Sequence, residues 1–358
     1  MAGRRHLFLV LGCAVLTLMG GLVTNAAANP KYAAFVIHAD TGDVLLNRYA
    51  DSARYPASLT KLMTLYMLFE EMEAGNITLT DKMIVSKRAS MQPASKLGLA
   101  RGSKIDVETA IEALIIGSAY DVATVVAERL GGTESKFARM MTARARELGM
   151  RRTTFRNASG LPDRNQRTTA RDMAILAQRV TQDFPQYFHY FDKASYKWKG
   201  RTYKSHNRVT ISYQGADGLK TGYTRASGYN LATTAKRGDH RLIGIVLGGR
   251  SGRTRDAHMK AILDQAYRDI RRRPQLVKSI HRVRPMPGLR PDRMDTHATI
   301  LAAIAPNEPI VTNGIPVPNQ KPMDMAEVLN LASLQQVIDG VARDGRDALP
   351  APFGYGDA

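Results

Sequence analysis

The amino-acid sequence predicts an α+β domain in which one antiparallel sheet is flanked by helices and carries an inserted helical lobe. Three observations predict this fold class. Strand-like hairpins lie near both ends of the central part of the chain, helical periodicity fills the region between them, and a chemically different, proline-rich stretch follows. The sheet should therefore be assembled from segments distant in sequence. A cleft between sheet and lobe is a natural place for a functional site.

The first elements are a hairpin and a helix. Two apolar stretches, 33–39 and 44–49, flank the turn sequence Asp40-Thr41-Gly42-Asp43, which predicts two paired strands. Apolar residues then recur largely on one side over 58–74, and Gly75 and Asn76 follow directly. This pattern predicts a helix that begins at Ser58 and ends before the glycine.

The rest of the central region divides into a helical part and a strand-rich part. The period of the apolar residues changes from helical to strand-like at about Gly218, and Arg237-Gly238-Asp239 provides a tight turn between the last two strands. The predicted helices span 107–116, 122–130, 134–148, 169–180 and 253–268, and the predicted strands span 218–224, 229–236 and 241–247.

Composition separates a folded body, 29–270, from a tail. Five of the 16 prolines lie at or before Pro185, and the other eleven lie between Pro274 and Pro352. Residues 271–293 contain eight Lys or Arg against one acidic residue. We therefore expect a basic, disordered linker over 271–322, which an anionic membrane surface could attract, and a weakly helical tail over 323–358.

The first 28 residues are typical of a secretory signal peptide. Arg4 and Arg5 precede an uncharged apolar run, and Ala26-Ala27-Ala28 offers a cleavage site. An uncleaved anchor and a lipoprotein signal around Cys13 are alternatives. We expect export to the periplasm or cell envelope. Cleavage after Ala28 would remove the single cysteine of the chain.

The net charge of +19, from 51 Lys and Arg against 32 Asp and Glu, predicts attraction to a polyanion such as nucleic acid, anionic lipid or an anionic cell wall. Export and the absence of aromatic–basic interleaving argue against nucleic acid. The eight histidines never occur at ligand spacing, so no metal or other cofactor is predicted.

The strongest chemical motif is Ser58-Leu59-Thr60-Lys61. On a helix, residues three apart share one face, so the lysine amine can reach the serine hydroxyl. A serine needs a neighbouring base to become a nucleophile, and lysine is a base only where burial or a nearby cation lowers its pKa. A helix-capping serine with a surface lysine is the simpler interpretation of this motif taken alone.

Two further motifs are weak individually. Ser118 lies in Gly117-Ser118-Ala119-Tyr120-Asp121, at a helix junction where it could relay a proton or merely cap a helix. Lys220-Thr221-Gly222 lies on a predicted strand, where lysine and threonine could hold a carboxylate and glycine would admit a substrate backbone.

The three motifs together, in this order, resemble the active-site set of the penicillin-recognising serine enzymes, specifically the D-alanyl-D-alanine carboxypeptidases of peptidase family S11. The resemblance covers roughly 33–270, including Tyr55–Thr64, Thr169–Ala174 and Asp217–Thr224. It implies a β-lactamase/transpeptidase-like fold. It also implies removal of the terminal D-Ala from peptidoglycan stem peptides, and acylation by β-lactam antibiotics.

The resemblance also implies a role for each site residue. Ser58 would attack the peptide carbonyl, Lys61 would take its proton, and Ser118 would pass a proton to the departing D-alanine. The NH groups of Ser58 and Tyr223, the latter following Gly222, would form the oxyanion hole. Lys220 and Thr221 would hold the terminal carboxylate. Arg255 would support that carboxylate, although an ordinary surface arginine is an equal alternative.

One residue departs from the family pattern. Members usually have S-x-N at the second motif, and this chain has Tyr120 in the last position. Ser205-His206-Asn207 spells S-x-N but lies out of position, so we interpret it as a structural loop. A D,D-endopeptidase, a weak β-lactamase, and an inactive wall-binding scaffold remain alternatives to the carboxypeptidase.

Overall fold

The computed structural model describes residues 29–277, and the predicted signal peptide and most of the predicted tail lie outside this range. Within residues 29–277, nine strands form one large sheet and two small hairpins. The strands are β1 (Ala33–His38), β2 (Val44–Arg48), β3 (Lys82–Ile84), β4 (Lys104–Asp106), β5 (Ser195–Trp198), β6 (Arg201–Lys204), β7 (Ala216–Thr224), β8 (Gly228–Arg237) and β9 (His240–Gly249).

Eight α-helices surround and interrupt these strands in the described part of the chain. They are α1 (Lys61–Glu73), α2 (Lys87–Ser90), α3 (Val107–Glu112), α4 (Tyr120–Gly131), α5 (Glu134–Glu147), α6 (Ala170–Asp183), α7 (Arg208–Ser212) and α8 (Gly252–Arg272). Short 3₁₀ segments occur at Ala57–Thr60, Pro185–Asp192 and Pro274–Leu276, and a π-helical turn occurs at Ala113–Gly117. No helix within residues 29–277 is both long and apolar enough to cross a membrane.

The five-stranded sheet has the order β2-β1-β9-β8-β7, with every neighbouring pair antiparallel. β1 pairs with β9, so Ala33 lies opposite Leu247 and the two ends of the domain meet at the middle of the sheet. This confirms the predicted fold class: one antiparallel sheet built from distant segments, with helices in the intervening sequence.

Helices cover both faces of the sheet, and each face has its own apolar core. On one face α8 packs with Met259 and Leu263 against Val36 and Val246. A Cβ on Gly244 of β9 would lie 2.6 Å from the Met259 sulfur, so the glycine allows this close approach of α8. On the other face Phe35, Ile245 and Leu247 pack into the core that includes α1 and α6.

The sequence patterns missed the two small hairpins, β3–β4 and β5–β6. Their strands have only three or four residues and are partly exposed, so neither alternation nor length distinguishes them from loops. Helix α8 continues to Arg272, two residues past the predicted end of the domain. The rest of the predicted linker, beyond residue 277, lies outside the described residues.

Candidate active site

Ser58 lies in a buried 3₁₀ turn, whereas the sequence predicted that it would begin an α-helix. The α-helix begins only at Lys61. Ala57 has a φ of +48°, a left-handed conformation that is rare for a residue with a side chain. A Cβ on Gly160 would lie 1.9 Å from the Ala57 carbonyl oxygen, so the loop around Gly160 packs directly against this turn and requires glycine there.

Asn230 on β8 anchors the chain just before the turn, and sequence reasoning gave no signal for it. Its amide nitrogen donates to the carbonyl oxygens of Tyr55 (2.9 Å) and Pro56 (3.1 Å). Its amide oxygen accepts from the Gly248 NH at 3.0 Å. One fully buried side chain therefore ties β8 and β9 to the segment that carries Ser58.

Lys61 reaches the hydroxyl of Ser58, as its spacing predicted. The amine nitrogen lies 3.3 Å from Ser58 Oγ and donates to the Ser159 carbonyl oxygen at 2.6 Å. Its side chain is fully buried. Burial, followed by the positive charge of Lys220, lowers the pKa of Lys61 well below its usual range, and the carboxylates of Asp121 and Glu134 only partly oppose this. The arrangement favours the neutral amine that a base requires.

The Ser118 motif approaches Lys61 from the end of the π-helical turn. Ser118 is buried and has a φ of +55°, and α4 begins two residues later at Tyr120. The Tyr120 ring faces Lys61, with the amine nitrogen 4.4 Å from the ring centroid. The helix N-cap is Ala119, without a side-chain hydrogen bond, so neither Ser118 nor Asp121 plays the capping role considered from sequence.

Strand β7 brings the third motif to the same place. The side chains of Lys220 and Thr221 are buried, and the Lys220 amine donates to the Thr221 carbonyl oxygen at 3.2 Å. A Cβ on Gly222 would lie 2.9 Å from the Ser58 backbone nitrogen, so any other residue there would crowd the serine turn. Burial, followed by the charge of Arg255, lowers the pKa of Lys220 to about 7.

Arg255 is a buried residue, not a surface arginine. It forms an ion pair with Asp256 (2.6 Å) and donates to the Asn230 carbonyl oxygen at 3.2 Å. Its charge acts on Lys220, which places it beside the strand of the third motif. In the described residues, the hydrogen bonds of Arg255 go to Asp256 and Asn230 and not to Thr221 or Ser58.

The structure thus brings together segments far apart in sequence: the serine turn, the Ser118–Tyr120 junction and the β7 strand. A sequence model of the peptidase family S11, described as D-alanyl-D-alanine carboxypeptidase, matches residues 23–251. The chain belongs to the S11 family.

Individual S11 relatives agree with this assignment. The chain is 32% identical to D-alanyl-D-alanine carboxypeptidase DacF of Bacillus subtilis over 262 residues, which cover 71% of this chain and 66% of DacF. It is 33% identical to DacC of Escherichia coli, covering 64% of this chain and 59% of DacC. The chain therefore spans less than two thirds of the length of these curated relatives.

Solved structures show the same fold. Penicillin-binding protein D2 of Listeria monocytogenes, crystallised in its ampicillin-bound form, matches with a TM-score of 0.59 and 28% identity. The match covers 68% of this chain and all of the Listeria chain.

The out-of-position S-x-N sequence of this S11 member is a structural loop that borders the site. The Asn207 side chain caps α7 by accepting from the Thr210 NH at 3.4 Å. His206, between Ser205 and Asn207, lies close enough to the site for the charges of Lys220 and Arg255 to act on its imidazole. Burial, followed by these two charges, lowers the pKa of His206. Sequence reasoning did not connect His206 with the site.

A cavity of about 190 Å³ lies beside the serine turn of the S11 domain. Ala57 and Gly160 form one side of it, and Thr224, just past the third motif on β7, forms another. Asp163 and Arg164 contribute one charge of each sign to its lining. A substrate that extends along β7 from Gly222 would pass next to this space.

Proposed function

We propose that the protein is a serine D,D-carboxypeptidase that removes the terminal D-alanine from peptidoglycan stem peptides. The observation that carries the proposal is the 3.3 Å contact between Ser58 Oγ and a fully buried Lys61 amine whose pKa is lowered. A hydroxyl beside a buried, neutral amine is an activated nucleophile. Membership of the S11 family supports this reaction over other serine chemistry.

In the proposed acylation, the Ser58 oxygen attacks the carbonyl carbon of the penultimate D-alanine while its proton passes to the Lys61 amine. The negative oxygen that forms is stabilised by the backbone NH groups of Ser58 and Tyr223. The packing of Gly222 against the Ser58 nitrogen supports this pairing of NH groups.

The tetrahedral intermediate then collapses. The peptide C–N bond breaks, and Ser118 relays the proton from the Lys61 ammonium to the departing nitrogen, so D-alanine leaves with a neutral amine and Lys61 is neutral again. Lys220 and Thr221 hold the terminal carboxylate during this step, and the charge of Arg255 supports it from beside Lys220. Water subsequently attacks the ester, releases the shortened peptide and restores the serine.

We further propose that β-lactam antibiotics acylate Ser58 as mimics of this substrate. The ampicillin-bound form of the Listeria relative supports this proposal.

The signal-like segment at 1–28 supports export to the periplasm or cell envelope. The basic stretch 271–293 supports additional contact with an anionic membrane surface, which vesicles with and without anionic lipid would test.

The decisive experiment incubates the protein with a pentapeptide that ends in D-Ala-D-Ala and measures the released D-alanine. We expect release that penicillin blocks, and a loss of roughly 1,000-fold or more in Ser58→Ala. Lys61→Ala should lose about 100-fold or more, because general-base catalysis contributes at least this much. Wild-type protein that releases no D-alanine, and that fluorescent penicillin does not label at Ser58, would indicate the inactive scaffold instead.

A cross-linked peptide dimer, assayed in parallel, separates the endopeptidase from the carboxypeptidase. Faster cleavage of the cross-link than release of terminal D-alanine would reject the carboxypeptidase assignment. Rapid turnover of nitrocefin would favour the β-lactamase, since a penicillin-sensitive carboxypeptidase releases the hydrolysed β-lactam slowly.

A further inference from the structure

Tyr120 occupies a rigid position opposite Lys61. Its NH donates to the Ser95 carbonyl oxygen at 2.8 Å, and it forms the first residue of α4. The next side chain, Asp121, is fully buried and accepts from the backbone NH groups of Leu97, Gly98, Leu99 and Val122 at 2.9 to 3.2 Å. These bonds fix the start of the helix, and therefore the place from which the ring extends.

The ring presents its face to the Lys61 amine, 4.4 Å from the centroid. Within the described residues, the hydrogen-bond partners of this amine are Ser58 Oγ and the Ser159 carbonyl oxygen. An aromatic face carries partial negative charge and attracts an ammonium group, whereas it gives a neutral amine no comparable stabilisation. The interaction therefore strengthens as Lys61 takes a proton.

We propose that the Tyr120 ring is a positioning residue for Lys61, holding the amine beside Ser58 and stabilising the positive charge that develops when the amine takes the serine proton. This inference rests on the proposed function. It assigns to an aromatic face the place that an asparagine amide usually occupies in the family, and it makes the hydroxyl of Tyr120 unnecessary for this role.

Other charges also act on Lys61, and the residues that carry them are the same in every variant at position 120. Lys220 on β7 opposes its protonation, while Asp121 on α4 and Glu134 on α5 favour it. Glu134 is itself held by Arg88 at 2.8 Å and by the Ala158 NH at 3.3 Å. Substitutions at position 120 leave Lys220, Asp121 and Glu134 unchanged, so a difference in the Lys61 pKa between variants reports the contribution of the ring.

The first test measures Lys61 directly in the full-length protein by NMR titration of isotope-labelled lysine, which requires no turnover. Tyr120→Phe keeps the aromatic face, and Tyr120→Leu replaces it with a smaller aliphatic side chain. We expect the Lys61 midpoint to fall by roughly 0.5 to 1.5 pH units in Tyr120→Leu and to stay in place in Tyr120→Phe. An unchanged midpoint in Tyr120→Leu, or equal shifts in both variants, overturns the proposal.

The second test keeps the shape of the ring and lowers the electron density on its face. Phenylalanine carrying one, two or three ring fluorines is incorporated at position 120, and acylation by a fluorescent penicillin is followed against pH. We expect the rate to fall stepwise, to about 10-fold below Tyr120→Phe, with the acid limb moving to lower pH. A flat series overturns the proposal, whereas wild-type protein that is never acylated counts against the proposed function and leaves the NMR result to decide the role of Tyr120.

Discussion

In the proposed reaction, two buried lysines of one site have different tasks. Lys61 and Lys220 are both buried, and burial is the largest cause of the lowered pKa of each. Lys61 lies beside the Ser58 hydroxyl and must be neutral to act as a base. Lys220 must be protonated to hold a carboxylate, yet its pKa is about 7. Near pH 7 the site can therefore contain one neutral and one charged lysine.

The pKa of Lys220 predicts a limit to substrate binding. Because the ammonium form is lost as pH rises through about 7, we expect kcat/KM for the D-Ala-D-Ala peptide to fall above that pH. Lys220→Arg keeps its charge, so its alkaline limb should move up by more than one pH unit, even if the plateau is lower. Lys236→Arg, an exposed site on β8, is the matched control. If the alkaline limb of the kcat/KM profile stays near pH 7 in Lys220→Arg, that limb belongs to a titrating group other than Lys220.

Short turns and strands, rather than the long helices, determine the geometry around the nucleophile. Asn230 on β8 donates to two carbonyl oxygens just before the serine turn, and its oxygen accepts from β9. Gly222 on β7 lets the strand pack against the Ser58 nitrogen. The position of Ser58 relative to the sheet is thus set by a few contacts that β7 and β8 make with the backbone of the serine turn and of the residues just before it.

We expect Asn230→Asp to lower both stability and acylation. The substitution keeps the shape but replaces two NH donors with a carboxylate facing two carbonyl oxygens. Each buried group left unsatisfied costs about 1–3 kcal/mol in the free energy of unfolding, and a displaced serine turn should slow penicillin labelling roughly 10-fold. Thr233→Val is the control, because this buried hydroxyl on the same strand has no hydrogen-bond partner among the described residues. Wild-type labelling in Asn230→Asp would show that the anchor does not position Ser58.

The same elements show what sequence patterns can and cannot predict. The sheet strands and longer helices followed from periodicity, because their apolar faces must be buried. The 3₁₀ turn at Ser58 did not, because the left-handed Ala57 depends on contacts with Gly160 and Asn230 that are distant in the chain. The contact between Lys61 and Ser58 was predictable, since a spacing of three needs only one helical turn.

At the scale of the whole molecule, the pairing of β1 with β9 joins the two ends of the domain in one sheet, whose edge strand β7 contacts the serine turn. The resulting site buries two lysine side chains in a protein with a net charge of +19. Burying a cation is unfavourable, so assembling the site should reduce the stability of the fold. The cost should vary with pH, because deprotonation removes it.

Lys220→Met tests this cost. The unfolded chain keeps Lys220 protonated up to about pH 10.5, whereas the folded protein releases the proton near pH 7, so the folded state gains stability as pH rises between these values. We expect the methionine variant to be more stable than wild type at pH 7. The difference between the free energies of unfolding of Lys220→Met and wild type should shrink by at most about 1.4 kcal/mol per pH unit from pH 7 to 9.

Denaturant unfolding at several pH values measures this difference. Because the Lys220 charge also lowers the pKa of Lys61, the same comparison in a Lys61→Met background removes that coupling. Groups that Lys220 does not influence largely cancel. Burial, followed by the charges of Lys220 and Arg255, lowers the pKa of His206, and burial and Arg255 remain in the variant. Lys236→Met, at the exposed position on β8, should show no such pH dependence. A constant gap between Lys220→Met and wild type would mean that Lys220 stays protonated in the folded protein, and the proposed alkaline loss of substrate binding would then need another cause.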